Sequence, residues 1–560
     1  MTQNLTNQKD KYGIAEDESK KHTDAIVESS SRKKVVVAGP GTGKTYLFKR
    51  IIEGKNNALT LTFVNALVED LSLELYGMSD VKTLHSFARS TLGTATGNVK
   101  VFPKLSEVVK EDAKILLKKE IDFDFIFHNM DDGNEDIEFY KKRKNYYDKH
   151  YGYSDIIFAL VKYLEANKGK VPAFDHVLVD EFQDFNKLEI ALIDLLSEKS
   201  PILIAGDDDQ ALYEDLKSAS PKHIRERFSD SCTDYKSFSL PHCRRCTRTI
   251  VEAVNDIVSN ASKNGAVKER IGKRYEYFDH KEKDVESEKN PKIIYSQQFA
   301  RKIPWFIEKQ LGEIANEIKG KFSVLIISPT KTQCRSTVEG LKKKGFSSIE
   351  WSDKKDDKEP TLLDGLKILL DDENSNLGWR IVSRFYLTEK DFVALLTNSN
   401  SENPKRFSEM IDSSKKKEVE SALKILRSVK NGKKIKEEKL DEVLRKVGFN
   451  PYDIAKENLK EEIEFGSQRV GNPGLRKTQI KATTIESSKG LAADYVFITY
   501  FDDRYFIKDK DKTKITDKDI CKFLVALTRA RRKVFLISSD DKKKPTFLNW
   551  INSDRIEEVS

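Results

Sequence analysis

Residues 33–45 read Lys-Lys-Val-Val-Val-Ala-Gly-Pro-Gly-Thr-Gly-Lys-Thr. A glycine-rich turn between a strand and a helix exposes backbone N–H groups, and the helix N-terminus adds its positive dipole end, so the pair can cradle phosphate. Lys44 would reach the β- and γ-phosphates of a nucleotide, and Thr45 would hold Mg²⁺. Ala38, Gly39, Pro40, Gly41, Thr42 and Gly43 complete the cradle, with alanine at the first position, where the pattern usually has glycine. A second group, Asp180-Glu181-Phe182-Gln183-Asp184, follows the apolar run 177–179. Adjacent carboxylates at the end of a buried strand suit phosphoryl transfer, with Asp180 in the Mg²⁺ shell and Glu181 orienting and deprotonating the attacking water. A third group, Asp207-Asp208-Asp209-Gln210, stacks like charges that a metal, cations or water must offset.

The elements that must position these groups are legible around them. Strands are predicted at 35–37, 58–63, 176–180 and 201–206, with helices over 46–52 and 64–76. A second set of strands follows at 323–328, 479–482, 495–499 and 533–537, with a helix over 519–530. This alternation gives an α/β fold with parallel sheets. Residues 93–154 and 376–477 are helix-rich and lysine-rich and read as insertions into the two α/β cores. Residues 1–20 read as a frayed end ahead of a short helix over 22–29, and 275–291 as a long surface loop.

A chain of 560 residues holds roughly three or four domains. With 99 basic and 91 acidic residues, the net charge of +8 permits a nucleic-acid partner without demanding one. The sequence has no signal peptide and no apolar run of about 18 residues, so no membrane partner is expected and a cytoplasmic location is. Five cysteines make no disulfide framework. Cys243 and Cys246 form a lone CxxC, whereas a zinc site takes about four ligands.

The order of the groups resembles the UvrD/Rep/PcrA helicases of superfamily 1. The stretches 180–184 and 206–210 resemble motifs II and III, and 62–65 and 83–87 resemble motifs Ia and Ib. Residues 240–250, 484–491 and 525–530 resemble motifs IV, V and VI. The resemblance implies two RecA-like P-loop domains with ATP and Mg²⁺ in the cleft between them. The first would comprise 1–92 and 155–240, and the second 241–375 and 478–560, with a 1B-like insertion at 93–154 and a reduced 2B-like insertion at 376–477. It further implies that Arg245 and Arg529 reach the γ-phosphate, that Gln210 senses it, and that Gly490 belongs to the nucleotide side of motif V. Phe63, Asn65, Thr83, His85, Tyr213 and Thr484 match positions that hold single-stranded DNA.

The chain also departs from that pattern. The glutamine before the phosphate loop falls near His22 or Thr23, and Arg244 stands where a tyrosine stacks on adenine. Leu216 and Lys217 replace a base-stacking pair, and Glu486 and Ala492 replace a histidine and a glutamate. Strict preference for ATP is therefore not implied. Two readings follow. One is a 3′–5′ translocase and helicase acting on single strands and duplex junctions, in repair or antiviral defence. The other, suggested by a resemblance in size to the helicase-like subunit of Gabija antiviral systems, is a sensing ATPase that regulates a partner nuclease.

Overall fold

The computed structural model describes residues 2–62, 65–131, 133–213, 218–318, 320–346, 348–351, 359–431, 442, 445–447, 478–509, 514–539 and 543–560. The first sheet contains β1 (Lys33–Ala38), β2 (Ala58–Thr62), β3 (Asp80–Thr83), β4 (His176–Val179), β5 (Ile202–Gly206) and β6 (Lys236–Leu240). Its order is β3-β2-β4-β5-β1-β6, and every pairing is parallel. Val35, Val36 and Val37 are wholly buried between helices on both faces, as a near-continuous β-branched run in a parallel sheet must be. Parallel pairing also brings all C-terminal strand ends to one edge. The segments after β1, β4 and β5, which carry Lys44, Asp180 and Asp207, therefore emerge together.

A short parallel pair, β7 (His242–Cys243) with β8 (Glu276–Tyr277), precedes the second sheet. That sheet contains β9 (Ile293–Gln297), β10 (Phe322–Ser328), β11 (Ile349–Glu350), β12 (Thr478–Thr484), β13 (Ala493–Thr499), β14 (Ala530–Ser538) and β15 (Ile556–Glu558). They pair in the order β11-β12-β10-β13-β14-β9-β15, again all parallel. The fold is thus α/β with two parallel P-loop-type sheets. Separate apolar clusters cover the two faces of the second one.

Two stretches differ from their sequence reading. Residues expected to fray belong to one helix, Thr2–Glu28, because its side chains find partners: Lys11 pairs with Asp279 at 2.7 Å, and Glu16 with Arg244 at 3.1 Å. The expected loop over 275–291 holds β8 and a helix, Lys281–Lys289, and its first residue, Tyr275, is buried. Alternating charges hid the helix, since its inward face is made of Lys283, Asp284, Glu286 and Ser287 rather than apolar side chains. The helix expected over 519–530 spans Asp517–Leu527 instead, started by a reciprocal Thr516–Asp519 cap; Arg529 falls in the turn before β14.

Contacts divide the chain into two compact units, one containing both sheets and the other made of Ala88–Lys162 with Lys354–Gly474. In the second unit, helices from the two insertions share a buried charge cluster. Asp112 accepts from Arg143 at 2.9 Å and from Arg380 at 2.7 Å, and it also accepts from the Tyr147 hydroxyl. All four side chains are essentially inaccessible. One carboxylate between two guanidinium groups fixes the approach of its helices: Arg143 has no other carboxylate partner among the described residues, while Arg380 also pairs with Glu111 at 2.8 Å. Most of the lysine-rich stretch 432–477 lies outside the described residues.

Candidate active site

The helix Lys44–Ile52 begins directly at the end of the glycine loop. Gly41 adopts φ +73°, and a side chain there would put its Cβ 2.3 Å from the Cβ of Arg245, so only glycine fits. The Arg244 amide donates to the Gly41 carbonyl at 2.9 Å. The Tyr275 ring lies against Gly39, and its hydroxyl donates to the Pro40 carbonyl at 2.9 Å. Residues that follow β6 thus clasp the loop from outside. Ala38 is buried as the last residue of β1, Thr42 folds its hydroxyl onto the Gly39 carbonyl at 2.9 Å, and Thr45 is half-buried one residue into the helix.

Lys44 crosses to the strand ends. Its Nζ lies 2.6 Å from Glu181 Oε1 and 3.5 Å from Asp180 Oδ1. Asp180 is placed by its amide, which donates to the Leu61 carbonyl of β2 at 2.9 Å. Burial opposes the charge on Lys44, yet the two carboxylates hold its pKa above the ordinary value. The carboxylates themselves diverge. Burial raises Asp180, whereas Lys44 and Lys489 overcome burial at Glu181 and lower it. Glu181 also has a left-handed backbone, φ 54°, and its other oxygen accepts from Gln183 at 2.7 Å. The same Gln183 accepts from the Asp207 amide at 2.9 Å, tying the ends of β4 and β5 together.

The aspartate triplet is offset by cations. The Lys273 ammonium, 4% exposed, sits among all three carboxylates, 2.6 Å from Asp208 and 2.9 Å from Asp209. Arg225 and Arg270 complete the neutralisation at 3.0 and 2.7 Å. The triplet has the spacing of metal ligands, but Lys273 fills its centre. Thr45 and Asp180, a hydroxyl and a carboxylate at the loop and the end of β4, are oxygen donors of the kind that would suit a Mg²⁺ ion.

The segment after β7 and the second sheet together add four cations. Arg529, 3% exposed, donates to Gln210 Oε1 at 2.9 Å, and Gln210 in turn donates to Asp207 at 2.7 Å. Burial, reinforced by Arg245, lowers the Arg529 pKa to about 10. Lys489 is buried; it donates to the Gln210 carbonyl at 2.6 Å and pairs with Asp184. Arg245 and Arg244 line the cavity over the loop, and Arg244 stacks 3.8 Å from the centroid of Phe278. His22 stands edge-on to His242, with ring centroids 5.6 Å apart. Gly490 has φ 82°, as a turn after Lys489 requires. Lys273, Tyr275, Lys283 and Arg531 were not anticipated from the sequence. Lys489 lay within a recognised motif without an assigned partner.

The residues matched to a DNA path are spread along strand ends. Thr83 ends β3 and accepts from the Ser86 amide at 3.2 Å, and His85 follows in the helix Leu84–Thr96. Thr484 ends β12 and bonds Ser487 at 3.2 Å. Tyr213 donates to the Glu486 carbonyl at 3.1 Å, which links the two sheets beneath the cleft. Asn65 opens the helix Asn65–Glu74, while Phe63, Leu216 and Lys217 lie outside the described residues. No helix among the described residues is long and apolar enough to cross a membrane.

Asp184 yields a pH prediction. Burial raises its pKa from 3.8 to about 6 against the pull of Lys489. Between those values the native state holds a proton that the unfolded chain releases, so stability falls as pH rises through that window, by about 3 kcal/mol in all. Asp184→Asn is expected to flatten that part of the stability profile, as urea titrations from about pH 4 to 6.5 will show.

Residues 22–215 match a sequence family described as an AAA domain. DNA helicase II of Haemophilus influenzae is 26% identical over 294 residues, which cover 43% of this chain and 39% of that protein. DNA helicase II of Escherichia coli is 35% identical over 102 residues, 18% of this chain and 13% of that one. The ATP-dependent DNA helicase PcrA of Staphylococcus aureus is 32% identical over 90 residues, covering 16% and 12%. The matches therefore span well under half the length of these curated relatives.

Proposed function

We propose that this chain, similar in sequence to the UvrD-like helicases of superfamily 1, couples ATP hydrolysis to movement along single-stranded DNA, 3′ to 5′, and separates duplex at junctions. The observation that carries this reading is the continuous polar chain from the phosphate loop into the second sheet. Lys44 meets Glu181, Glu181 meets Gln183, Gln183 holds Asp207, Asp207 holds Gln210, and Gln210 accepts from Arg529. A charge change at the γ-phosphate would reach the second sheet through partners already in contact.

In this reading Lys44 and the loop amides bind the phosphates. Thr45 and Asp180 would hold Mg²⁺, which screens the phosphate charge when bound. Glu181, kept ionised by Lys44 and Lys489, orients and deprotonates water. Arg245 and Arg529 stabilise charge on the transferred group, and Gln210 reports its presence. Single-stranded DNA would run over the strand ends marked by Phe63, Asn65, Thr83, His85, Tyr213 and Thr484. The protein would act in the cytoplasm, in repair or antiviral defence.

A second reading, a DNA- or nucleotide-sensing ATPase that regulates a partner nuclease, is favoured by Glu486. It places a carboxylate, paired with Lys522 at 3.6 Å, next to the end of β12, where it offers a phosphate backbone no donor. Purified protein on 3′-tailed and 5′-tailed duplexes separates the two. Displacement of the 3′-tailed substrate alone supports the motor, while DNA-stimulated hydrolysis without displacement supports the sensor. Lys44→Ala is expected to lower DNA-stimulated ATP turnover about 10²- to 10³-fold. Undiminished turnover in that variant would remove the phosphate loop from the reaction.

A further inference from the structure

The cavity over the phosphate loop encloses about 470 Å³. One wall is the loop; the other is formed by Arg244, Arg245, Lys283 and Arg531. That second wall carries four cations, with no carboxylate and no aromatic ring among the lining residues. The charge of Lys44 is already met by Glu181. On the opposite wall Arg244 is paired with Glu16, but the other three cations are not balanced in this way. Among the described residues, Arg245, Lys283 and Arg531 make no ion pair with a carboxylate, and Arg531 is exposed. Lys283 donates to the Arg245 carbonyl at 2.6 Å, and an ammonium group retains two further donors after one such bond. Burial lowers the pKa of Lys283 against the opposing pull of nearby groups that include Glu286, and Arg531 adds a smaller lowering by like-charge repulsion. An anion between Lys283 and Arg531 would relieve that repulsion.

We propose that this site selects its ligand by the polyphosphate chain rather than by the base, and that Lys283 and Arg531 are phosphate-contacting residues on the wall facing the loop. The inference rests on the nucleotide-binding reading above and specifies what that site recognises. Strong base discrimination needs fixed side-chain donors and acceptors that are left unpaired by the wrong base. The lining holds no side-chain amide, carboxylate or imidazole that could accept from a base edge. Its one group suited to a base is Arg244, held by Glu16 and Ser19 and stacked on Phe278. A planar cation can stack on any base face. Five positive groups around one cavity instead match a triphosphate, whose affinity then follows phosphate count.

Calorimetric binding of ATP, GTP, UTP, ADP and inorganic tripolyphosphate to the full chain with Mg²⁺ tests this. The three triphosphates are expected within about fivefold of one another, tripolyphosphate within about tenfold of ATP, and ADP weaker. Arg531→Ala, an exposed change, should weaken all three triphosphates about tenfold and reduce the salt dependence of binding. Lys283→Ala should do the same, and Lys283→Arg should restore much of the loss, which a purely structural contact to the Arg245 carbonyl would not predict. ATP binding more than about 30-fold tighter than UTP, or variants that leave every affinity unchanged, would overturn the proposal. If no ligand binds, the nucleotide reading falls with it. If all bind alike but none is hydrolysed, the motor reading falls and this inference stands.

Discussion

Replacing Arg529 by alanine is expected to lower ATP turnover about 10³-fold or more, while nucleotide affinity changes by less than about threefold. The side chain is buried on the second-sheet side and makes its cross-cleft bond to Gln210, not to the loop that would carry the phosphates. In the proposed reaction, ground-state binding would depend on Lys44, the loop amides and the cavity wall, whereas stabilisation of developing charge would depend on the Arg529 guanidinium. Gln210 also links to Lys489 through its carbonyl, so the variant should lose stimulation by DNA along with basal turnover. Fluorescent-nucleotide titration beside steady-state hydrolysis separates the two quantities. Equal losses in both would place Arg529 in ground-state binding instead. Arg529→Lys retains a charge but not the planar fork, and should recover only a small part of the activity.

Replacing Lys273 by methionine is expected to destabilise the protein by about 3–5 kcal/mol, because three buried carboxylates lose their central cation. The lysine pKa is raised, burial being outweighed by Asp207, Asp209 and Asp208. Its contribution is therefore fully present at neutral pH and lost only in strongly alkaline solution. In the variant the carboxylates have only Arg225 and Arg270, so Asp207 and Asp209, which Lys273 pulls down against burial, move to higher pKa. Stability of the variant should thus rise as pH falls from about 7 toward 4, narrowing the gap to the native protein. Urea denaturation at the two ends of that range measures the gap. A constant difference would mean that the triplet is not ionised in the native state.

Sequence disclosed the parts of this site whose geometry is local. Lys44 and the loop follow from thirteen consecutive residues, and Asp180 and Glu181 from a strand whose apolar run ends at their door. The Val- and Ile-rich strands β1, β4, β5 and β10 were legible for the same reason. Strands β3 and β6 were not, since Asp80, Lys82, Lys236 and two serines break any apolar run at the sheet's edges. Lys273, Tyr275 and Lys283 were hidden in a segment whose charges resemble a solvated loop. Their partners lie in distant sequence: Lys273 is 66 residues from Asp207, and Tyr275 is 235 from Pro40. Lys489 shows the limit most plainly. Its motif could be recognised, but nothing near it in the chain indicates that its ammonium reaches Asp184, 305 residues away.

The bond from the Arg244 amide to the Gly41 carbonyl has a mechanical consequence. It joins the phosphate loop to the segment that leads into the second sheet, backbone to backbone, so force passes through it in either direction. A hydrogen bond of this kind contributes about 1 kcal/mol, or ~7 pN nm, and is broken over a displacement of ~0.3 nm. A load of ~20 pN along that direction would therefore open it. Tension on a bound strand would be felt by the loop as a change in its own conformation, and an optical-trap measurement would register it as a force-dependent nucleotide affinity.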